Sequence, residues 1–410
     1  MKSAKNWGRL GLKFEMKTKA LRFLSDIQTG PFGSQLHKED YVDDGTPIVT
    51  VEHLGNRVFT EQNLPRVSNE DKQRLSKYIL KEGDIVFSRV GSVDRCSFVD
   101  SQHTGWLFSG RCLRVRPFEE ISPLFLYYFF CLESTKKFIR NIAVGATMPS
   151  INTKLMGEIE VSYPDKQVQE KIANLLGAID DKIELNNAIN DNLEQQVLAM
   201  YRNKFIDTTN AERTICRADE FFDISIGKTP PRKESQWFSN TSEDVTWVSI
   251  SDMGSCGLYI RKSSERLTQE AVKRFNIKVV PDNTVLLSFK LTVGRIAITN
   301  GEMTTNEAIA HFKTDCKSIN EYLYCYLRCF NFETMGSTSS IATAVNSKII
   351  KGMPFVVPTN YELKEFHDIA APMFAQIKAN QNEIYNLTAL RDTLLPKLMS
   401  GELDVSAVNL

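Results

Sequence analysis

The sequence repeats itself over most of its length, and this repeat restricts the possible folds more than any other feature. The stretch INTK at 151–154 recurs as VNSK at 345–348, which is 194 residues later. A short apolar run follows each copy and ends in a proline, Pro164 or Pro358, again 194 residues apart. Each proline precedes a long polar segment. Self-similarity at a fixed offset indicates a duplicated structural unit.

The regions upstream of these prolines match at slightly different offsets. GDIVFSRVGSVDR at 83–95 aligns with NTVLLSFKLTVGR at 283–295, at an offset of 200, and Gly30 aligns with Gly227 at 197. Changing offsets indicate insertions and deletions in the loops of a shared framework. The apolar runs inside the two matching segments predict buried strands, and the apolar stretches at 121–132 and 319–330 predict short helices.

We therefore predict an α+β protein with an internal pseudo-two-fold repeat, in which each of two globular modules is followed by a long helix. At roughly 100–200 residues per domain, a chain of 410 residues is long enough for both modules to bury their own cores. The expected boundaries are 1–164 and 208–358 for the modules, and 165–207 and 359–410 for the helical segments.

Both helical segments carry residues at alternating spacings of three and four that are mostly apolar, with three asparagines and one arginine among them. In the first, these positions are Ile172, Leu176, Ile179, Ile183, Asn186, Asn190, Leu193, Val197 and Met200. In the second, they are Phe366, Ala370, Met373, Ile377, Asn380, Ile384, Leu387, Arg391, Leu394 and Leu398. This spacing is typical of the a/d seam of a coiled coil, rather than the wider stripe of a surface helix. The alternative is that each helix packs only on its own module. The length of the pattern in both halves favours an antiparallel pair.

Two asparagines occupy equivalent positions of the seam. Asn186 and Asn380 are 194 residues apart, and each lies near the middle of its segment. Asparagine in such a seam lowers stability but fixes register and orientation. In an antiparallel pair related by a two-fold axis, equivalent residues meet only near that axis. We therefore expect Asn186 and Asn380 to lie close together and to set the register. Pro372 and Pro396 are expected to kink the second helix.

The sequence patterns that would indicate catalysis or metal binding are incomplete or wrongly spaced. GKT at 227–229 resembles a phosphate-binding loop, but Phe222 stands where that motif needs its first glycine. The pattern Pro281-Asp282 with Asp315-x-Lys317 is too loosely spaced to predict a nuclease. The five histidines and eight cysteines show no metal-ligand spacing. We expect no catalytic residue and no metal site. With scattered cysteines and no segment of about 20 apolar residues, we expect a cytoplasmic protein.

Basic and small polar residues cluster in the modules, where a phosphate-bearing ligand would bind. Arg and Lys hold phosphates, and Arg also reads guanine edges through two hydrogen bonds. The alternative for any single residue is ordinary solvated charge. The candidates are Ser34, Gln35, Arg89, Arg95, Arg111 and Arg114 in the first module, and Lys228, Thr229, Arg232, Lys233, Lys290 and Arg295 in the second.

Charge is divided between modules and helices. The chain has 50 basic and 50 acidic residues and no formal net charge, which argues against a uniformly basic nucleic-acid binder. The segment 1–164 nevertheless carries +4 and 208–358 carries +2, whereas 165–207 and 359–410 carry −3 each. The neutral total is therefore a cancellation between mildly basic modules and acidic helices.

Four stretches of the sequence resemble the specificity subunits of type I restriction–modification systems. IGKTPPRKESQWF at 226–238, with WVSISDM at 247–253, is similar to the opening of a target-recognition domain in that family. The runs at 161–187 and 390–403 are similar to its central and distal repeat regions. The order module–helix–module–helix is similar over nearly the whole chain.

The resemblance implies two target-recognition domains separated by an antiparallel coiled coil. Each domain would read one half of a bipartite, asymmetric site in double-stranded DNA, and the coiled coil would set the gap. Two methylation (M) subunits, which use S-adenosylmethionine, would dock on the repeat regions. Restriction (R) subunits, which use ATP and Mg²⁺, would complete the complex. Catalysis and cofactors would then belong to partner subunits and not to this chain.

Two other classes remain open at this point. A tandem protein-binding scaffold could be built on the same coiled coil, and it would bind DNA weakly or not at all. A stand-alone nuclease would cleave DNA without partners. The salt dependence of DNA binding separates recognition from scaffolding, because phosphate contacts make affinity fall steeply with salt.

Overall fold

The computed structural model describes residues 15–33, 35–207, 213–335 and 345–405. The described chain divides into two compact units. The first unit holds the residues up to Ile183 and those from Asn386 onward, and the second holds Glu184–Tyr385. Both boundaries fall inside long helices, so each unit contains one globular module and one segment of each long helix.

The first module combines two small sheets, a strand pair and short helices. Its strands are β1 (Lys17–Ala20), β2 (Ser25–Thr29), β3 (Tyr41–Val42), β4 (Thr46–Val49), β5 (Arg66–Val67), β6 (Ile85–Ser88), β7 (Cys96–Phe98), β8 (Leu107–Phe108), β9 (Cys112–Pro117) and β10 (Glu160–Tyr163). Its α-helices are α1 (Asn69–Arg74), α2 (Pro123–Cys131), α3 (Glu133–Ile142) and α4 (Thr153–Gly157). The strand expected within 83–95 and the helix expected at 121–132 are therefore present as β6 and α2.

The second module repeats this arrangement. Its strands are β11 (Ile215–Arg217), β12 (Asp223–Ile226), β13 (Phe238–Ser239), β14 (Val245–Val248), β15 (Tyr259–Ile260), β16 (Glu265–Leu267), β17 (Val285–Ser288), β18 (Ile296–Thr299), β19 (Thr304–Thr305), β20 (Ile309–Lys313) and β21 (Pro354–Val356). Its α-helices are α6 (Ala218–Phe221), α7 (Ile250–Met253), α8 (Gln269–Arg274), α9 (Asn320–Cys329) and α10 (Ser347–Lys351). Short 3-10 helices occur at Leu21–Phe23, Lys38–Asp40, Val51–His53, Ser76–Tyr78, Ser235–Trp237, Lys317–Ile319 and Phe332–Met335.

The strand orders show that the two modules share one topology. The main sheet has the order β2-β9-β6-β7 in the first module and β12-β20-β17-β18-β15 in the second. The smaller sheets are β3-β5-β4-β8 and β13-β16-β14-β19, and the strand pairs are β1-β10 and β11-β21. In the strand order of the main sheet, the second module differs by one added edge strand, β15. The duplication expected from the sequence is confirmed in the fold.

The repeated INTK and VNSK stretches form the same local structure in both modules. Asn152 and Asn346 are the N-cap residues of α4 and α10, and their side-chain oxygens accept hydrogen bonds from backbone amides in the first turn. The Asn152 bond to the Leu155 amide measures 2.9 Å. Such caps satisfy amide groups that a helix start leaves unpaired, which explains why this pattern marks both copies.

The two long helices are α5 (Lys166–Tyr201), which continues into a π-helical turn at Arg202–Ile206, and α11 (Asn360–Met399). The helix is unbroken through both prolines of α11. In the second unit the helix segments run antiparallel. Asn186 of α5 contacts Glu383, whereas Lys204, in the π-helical turn that continues α5, contacts Glu365, nearer the start of α11. Among the described residues, no helix is both long and apolar enough to cross a membrane.

The seam positions of the long helices join the module cores. In the first unit, Ile172 and Leu176 of α5 and Leu398 of α11 belong to the same buried cluster as α2 and the main sheet. In the second unit, Val197 and Ile377 belong to the cluster formed with α9. Each module therefore packs on both long helices through one of its hydrophobic clusters.

Candidate nucleic-acid interface

Three loops meet at one end of the main sheet in the first module. They are residues 30–33, which follow β2, the β6–β7 hairpin loop at 89–95, and the bend at 109–111 before β9. The Gly30 amide donates to the Cys112 carbonyl (3.2 Å), and the Arg89 amide donates to the Arg111 carbonyl (2.8 Å). A Cβ at Gly30 would overlap the backbone of Ser109. Only glycine permits this close approach, so the loops form a single surface.

The second module builds the same surface from equivalent residues. Its loops are 227–233, the hairpin loop 289–295, and 306–308. The Gly227 amide donates to the Ile309 carbonyl (3.2 Å), and the Phe289 amide donates to the Ala308 carbonyl (2.9 Å). A Cβ at Gly227 would collide with Thr305 and Asn306. We call these two sites the three-loop surfaces.

Arg89 and Arg111 lie on the three-loop surface of the first module. The guanidinium of Arg89 is 5.0 Å from the ring centre of Phe32, whose side chain is 51% exposed. The side chain of Arg111 is exposed and makes no hydrogen bond or ion pair with any residue that the structure describes. A partly buried cation on an aromatic ring, next to a free guanidinium, suits a ligand that offers both phosphates and flat bases.

The basic residues of the second three-loop surface are mostly exposed. Lys228, Arg232, Lys233 and Lys290 all belong to this group. The ammonium group of Lys228 donates to the Phe275 carbonyl (2.7 Å), whereas Lys233 makes no hydrogen bond or ion pair within the described part of the chain. The Nη1 group of Arg232 donates to both carboxylate oxygens of Glu265 (2.8 and 2.9 Å), and the guanidinium lies 4.5 Å from the Trp247 ring centre.

Glu307 connects the loops of the second three-loop surface. The Thr229 hydroxyl donates to its carboxylate. Partial burial opposes ionisation of Glu307, but the Thr229 hydroxyl, a backbone amide and the nearby charges of Lys290 and Arg232 together lower its pKa. Glu307 is therefore an anion within a group of cations, and it holds Thr229 in place.

Arg95 and Arg295 are equivalent residues whose side chains are engaged within their own modules. The Arg95 guanidinium donates to the Leu54 carbonyl and lies against Gly55. Arg295 donates to the Ile250 carbonyl (2.6 Å) and lies against Gly254. The sequence grouped these residues with DNA-binding candidates. The structure shows that both fasten the hairpin to a neighbouring loop.

The structure corrects the prediction that Arg114 is a DNA-binding candidate. Its side chain is buried in the main sheet and pairs with Asp26. Burial, together with the neighbouring Arg116, lowers the pKa of Arg114. Its position lies on the middle strand β9, opposite Gln28 of β2. Arg111 lies in the bend before β9 and is exposed, whereas Arg114 lies within β9 and is buried. We leave Arg114 out of the interface.

The remaining loop candidates are Gln35 and Ser34. The side-chain oxygen of Gln35 accepts a hydrogen bond from the Tyr78 hydroxyl (2.6 Å), and its backbone oxygen accepts one from Arg74 (2.6 Å). Gln35 is exposed, but it is tied to this neighbouring segment. Ser34 lies outside the described residues.

The seam asparagines are buried and hydrogen-bonded. Asn186 donates to a Glu383 carboxylate oxygen (2.8 Å), and Asn380 donates to the side-chain oxygen of Asn190 (2.9 Å). Asn190 lies one turn beyond Asn186 on α5, so Asn380 lies about one helical turn, roughly 5 Å, along the seam from Asn186. Each asparagine reaches a different polar partner, and its role in fixing the register stays a prediction.

Two functional candidates were missed in the sequence, Phe32 and Leu291. Both are exposed apolar side chains on three-loop surfaces. A search for basic residues passes over them. The available signal was the repeat itself, because aligning the two copies puts Leu291 opposite Gly91 in a turn. Among the described residues, no group of three or more His, Cys, Asp or Glu side chains is arranged to hold a metal ion.

Comparison with known proteins identifies the family. A model of the type I restriction modification DNA specificity domain matches residues 15–195 and again 212–388. The chain belongs to this family. Each match contains one globular module and most of the helix that follows it, which agrees with the duplication seen in the fold.

Curated relatives match nearly end to end. The MjaIX specificity subunit of Methanocaldococcus jannaschii is 25% identical, with 94% of this chain and 93% of the relative covered. The HindI specificity subunit of Haemophilus influenzae is 22% identical, with 82% and 90% covered. A crystal structure of a type I restriction–modification S subunit from M. genitalium has the same fold, with a TM-score of 0.56 and 17% identity over 95% of this chain and 97% of that one. Two type I DNA specificity domains are therefore present, which makes DNA sequence recognition the general function of the chain.

Proposed function

We propose that this chain is the DNA-reading subunit of a type I restriction–modification complex, and that each module reads one half of a bipartite, asymmetric site. The modules at 1–164 and 208–358 would be the target-recognition domains, and the helical segments at 165–207 and 359–410 the spacer. The observation that carries the proposal is the repeated three-loop surface, which is held by equivalent backbone hydrogen bonds in both modules but carries different exposed side chains. A shared frame with different side chains is suited to reading two different sequences.

The chemistry of the two surfaces supports contact with DNA. The first offers Phe32, Arg89 and Arg111, and the second offers Lys228, Lys233 and Lys290. Cations of this kind hold phosphates and position a protein on the duplex, while base contacts supply the specificity. Because these residue sets differ, we expect the two half-sites to differ in sequence. Arg111, which has no partner among the described residues, is the strongest candidate for a phosphate or guanine contact.

The two long helices have the composition expected of a spacer and docking element. Their segments carry a net charge of −3 each, so they are poor candidates for direct contact with DNA. We propose that they set the gap between half-sites and dock two methylation (M) subunits, which bring S-adenosylmethionine. Restriction (R) subunits, with ATP and Mg²⁺, would join the same complex. Adenine methylation and DNA cleavage would then be carried out by these partners.

The proposal is tested by DNA binding across a range of salt concentrations. The chain is assembled with its methylation subunits, and its site is mapped by sequencing methylated adenines in cells that express the complex. Binding to a duplex that carries this site should weaken steeply with salt, since phosphate contacts release counterions. Arg111→Ala should lower affinity and reduce the slope of log K against log salt by about one.

The matched control is Arg22→Ala. Arg22 is also an exposed arginine of the first module, but it precedes β2, whereas the three-loop surface follows that strand, and it pairs with Glu158. We expect this variant to keep the slope of the unmodified complex. Salt-independent binding, or equal effects of the two substitutions, would contradict the proposal.

A further inference from the structure

Leu291 combines two features that are rarely found together in a folded protein. Its side chain is 100% exposed, and its backbone φ is 60°, in the left-handed region. Residues other than glycine, asparagine and aspartate seldom adopt this conformation, because their Cβ comes too close to the backbone. The hairpin therefore holds an apolar side chain fully in solvent and in an unfavourable backbone conformation.

The equivalent residue of the first module shows that the turn does not require leucine. Gly91 lies 200 residues earlier in the aligned hairpin, and its φ is 77°. Glycine adopts this conformation without strain. The turn thus needs a positive φ, and glycine satisfies it in one copy. In the second module, the side chain of Leu291 is fully exposed and contributes nothing to packing. Folding alone therefore does not explain why this residue is leucine.

The position of Leu291 points to a ligand. Lys290 precedes it and is exposed, and the charges of Lys290 and Arg232 both act on Glu307. Lys228, Arg232 and Lys233 lie on the adjoining loop 227–233. Leu291 is therefore an apolar side chain on a surface whose exposed side chains are largely cationic. A polyanion that also carries apolar surface between its charges matches this combination, and duplex DNA is such a ligand.

We propose that Leu291 enters a groove of the DNA and contacts apolar parts of the bases, either a thymine methyl group or the face of a partly unstacked base. This inference rests on the proposed function and assigns a base-contacting residue to the second module. Apolar side chains make such contacts in other DNA-binding proteins. The neighbouring lysines would hold phosphates on either side. Gly91 has no side chain to do the same, so this contact belongs to one half-site only.

The test compares Leu291→Ala with Val279→Ala in the full complex. Val279 is also an exposed aliphatic residue of the second module, but it lies before β17, whereas Leu291 follows that strand. On a duplex carrying the mapped site, Leu291→Ala should weaken binding by about 10- to 100-fold, the loss expected when a buried leucine contact is removed. The salt slope should stay unchanged, because no charge is removed. Val279→Ala should bind as the unmodified complex does.

Leu291→Gly separates a folding defect from a lost contact. Glycine relieves the backbone strain, so this variant should be at least as resistant to thermal unfolding as the unmodified chain while showing the same loss of DNA affinity. A duplex with uracil in place of thymine in the affected half-site distinguishes the two kinds of contact. If the effect of Leu291→Ala disappears on that duplex, the contact is to a thymine methyl group. If it persists, the contact is to a base face.

Failure of this inference is distinguishable from failure of the proposed function. If the unmodified complex binds the duplex with a steep salt dependence but Leu291→Ala matches Val279→Ala, the inference is overturned while DNA recognition stands. If Leu291→Ala no longer assembles with the methylation subunits, Leu291 is a protein contact and the inference is also overturned. If the unmodified complex shows no salt-dependent binding, the proposed function itself fails.

Discussion

One pair of equivalent positions inside the main sheets carries different polar side chains in the two modules. Arg114 of β9 lies opposite Gln28, and His311 of β20 lies opposite Ser225, at the matching position of the repeat. The His311 ring nitrogens lie 3.1 Å from the Ser225 hydroxyl and 2.7 Å from the Thr305 hydroxyl. Each module thus keeps a polar residue inside its sheet, but with different partners.

The stability of the second module should depend on pH through His311. Burial, reinforced by the charges of Lys313 and Lys278, lowers the pKa of His311 to about 3. In the unfolded chain its pKa is about 6.5, so between these values the unfolded state binds a proton that the folded state does not. The stabilisation is complete above pH 6.5 and is lost as the pH falls, by about 1.4 kcal/mol per unit.

Hydrogen exchange of β17 and β20 between pH 7.5 and 5 measures this effect, after correction for the intrinsic exchange rates. In His311→Gln, which does not titrate, protection of these strands should fall less on acidification than in the unmodified chain. His37→Gln, an exposed histidine of the first module, is the control and should behave like the unmodified chain. Identical pH profiles for His311→Gln and the unmodified chain would contradict the assignment.

For single residues, the sequence indicated which side chains are charged, but it did not indicate which of them are exposed. Clusters of arginine drew attention to the β6–β9 region, where Arg89 and Arg111 lie on the three-loop surface. Strand alternation decides which arginines face the interior, and that depends on a register set by distant residues. The burial of Arg114 could therefore be recognised only from the structure. The exposed Phe32 and Leu291 could have been noticed only by comparing the two copies of the repeat.

The long helices are joined to each other and to the first module through one buried carboxylate. Asp180 of α5 is 5% exposed and accepts hydrogen bonds from the Tyr128 hydroxyl (2.7 Å) and the Arg391 guanidinium (2.8 Å). Tyr128 belongs to α2 and Arg391 to α11. A buried charge is tolerated only when its hydrogen bonds are satisfied. This contact therefore couples three helices of the first unit.

Removing Arg391 should destabilise the first unit strongly. Arg391→Met leaves the Asp180 carboxylate buried with one donor fewer, at an expected cost of about 3–5 kcal/mol. The control is Lys364→Met on the same helix, whose pair with Asp368 is exposed and should contribute no more than about 0.5 kcal/mol. Urea unfolding of the full chain measures both. Equal midpoints for the two variants would show that the Asp180 contact adds no stability.

The heptad pattern predicted the two helices and most of their buried positions. It placed the charged residue Arg391 in the seam without explaining its presence there. Only the structure shows that Arg391 pairs with Asp180. The same holds for Asn186 and Asn380, whose burial follows from the pattern but whose partners, Glu383 and Asn190, depend on the register between helices. Sequence periodicity defines which face of a helix is buried. It does not define which residue of another helix lies opposite.

For the molecule as a whole, the repeat predicted the duplicated fold, whereas strand order within each module came from the structure. Strands such as β4 and β8 pair in parallel across long loops, and no short-range signal specifies such pairing. The charge division into mildly basic modules and acidic helices was readable from the sequence once the repeat had defined the segments. It agrees with the placement of the exposed cations on the three-loop surfaces.

The central claim is that each module reads its own half-site while the helices set the gap. Replacing residues 20–164 with the corresponding module of another family member, and mapping methylated adenines in cells that express the chimeric complex, tests it most directly. We expect one half-site to change, while the other half-site and the number of base pairs between them stay the same. A chimera that alters both half-sites, or that changes the gap with the helices untouched, would contradict the account.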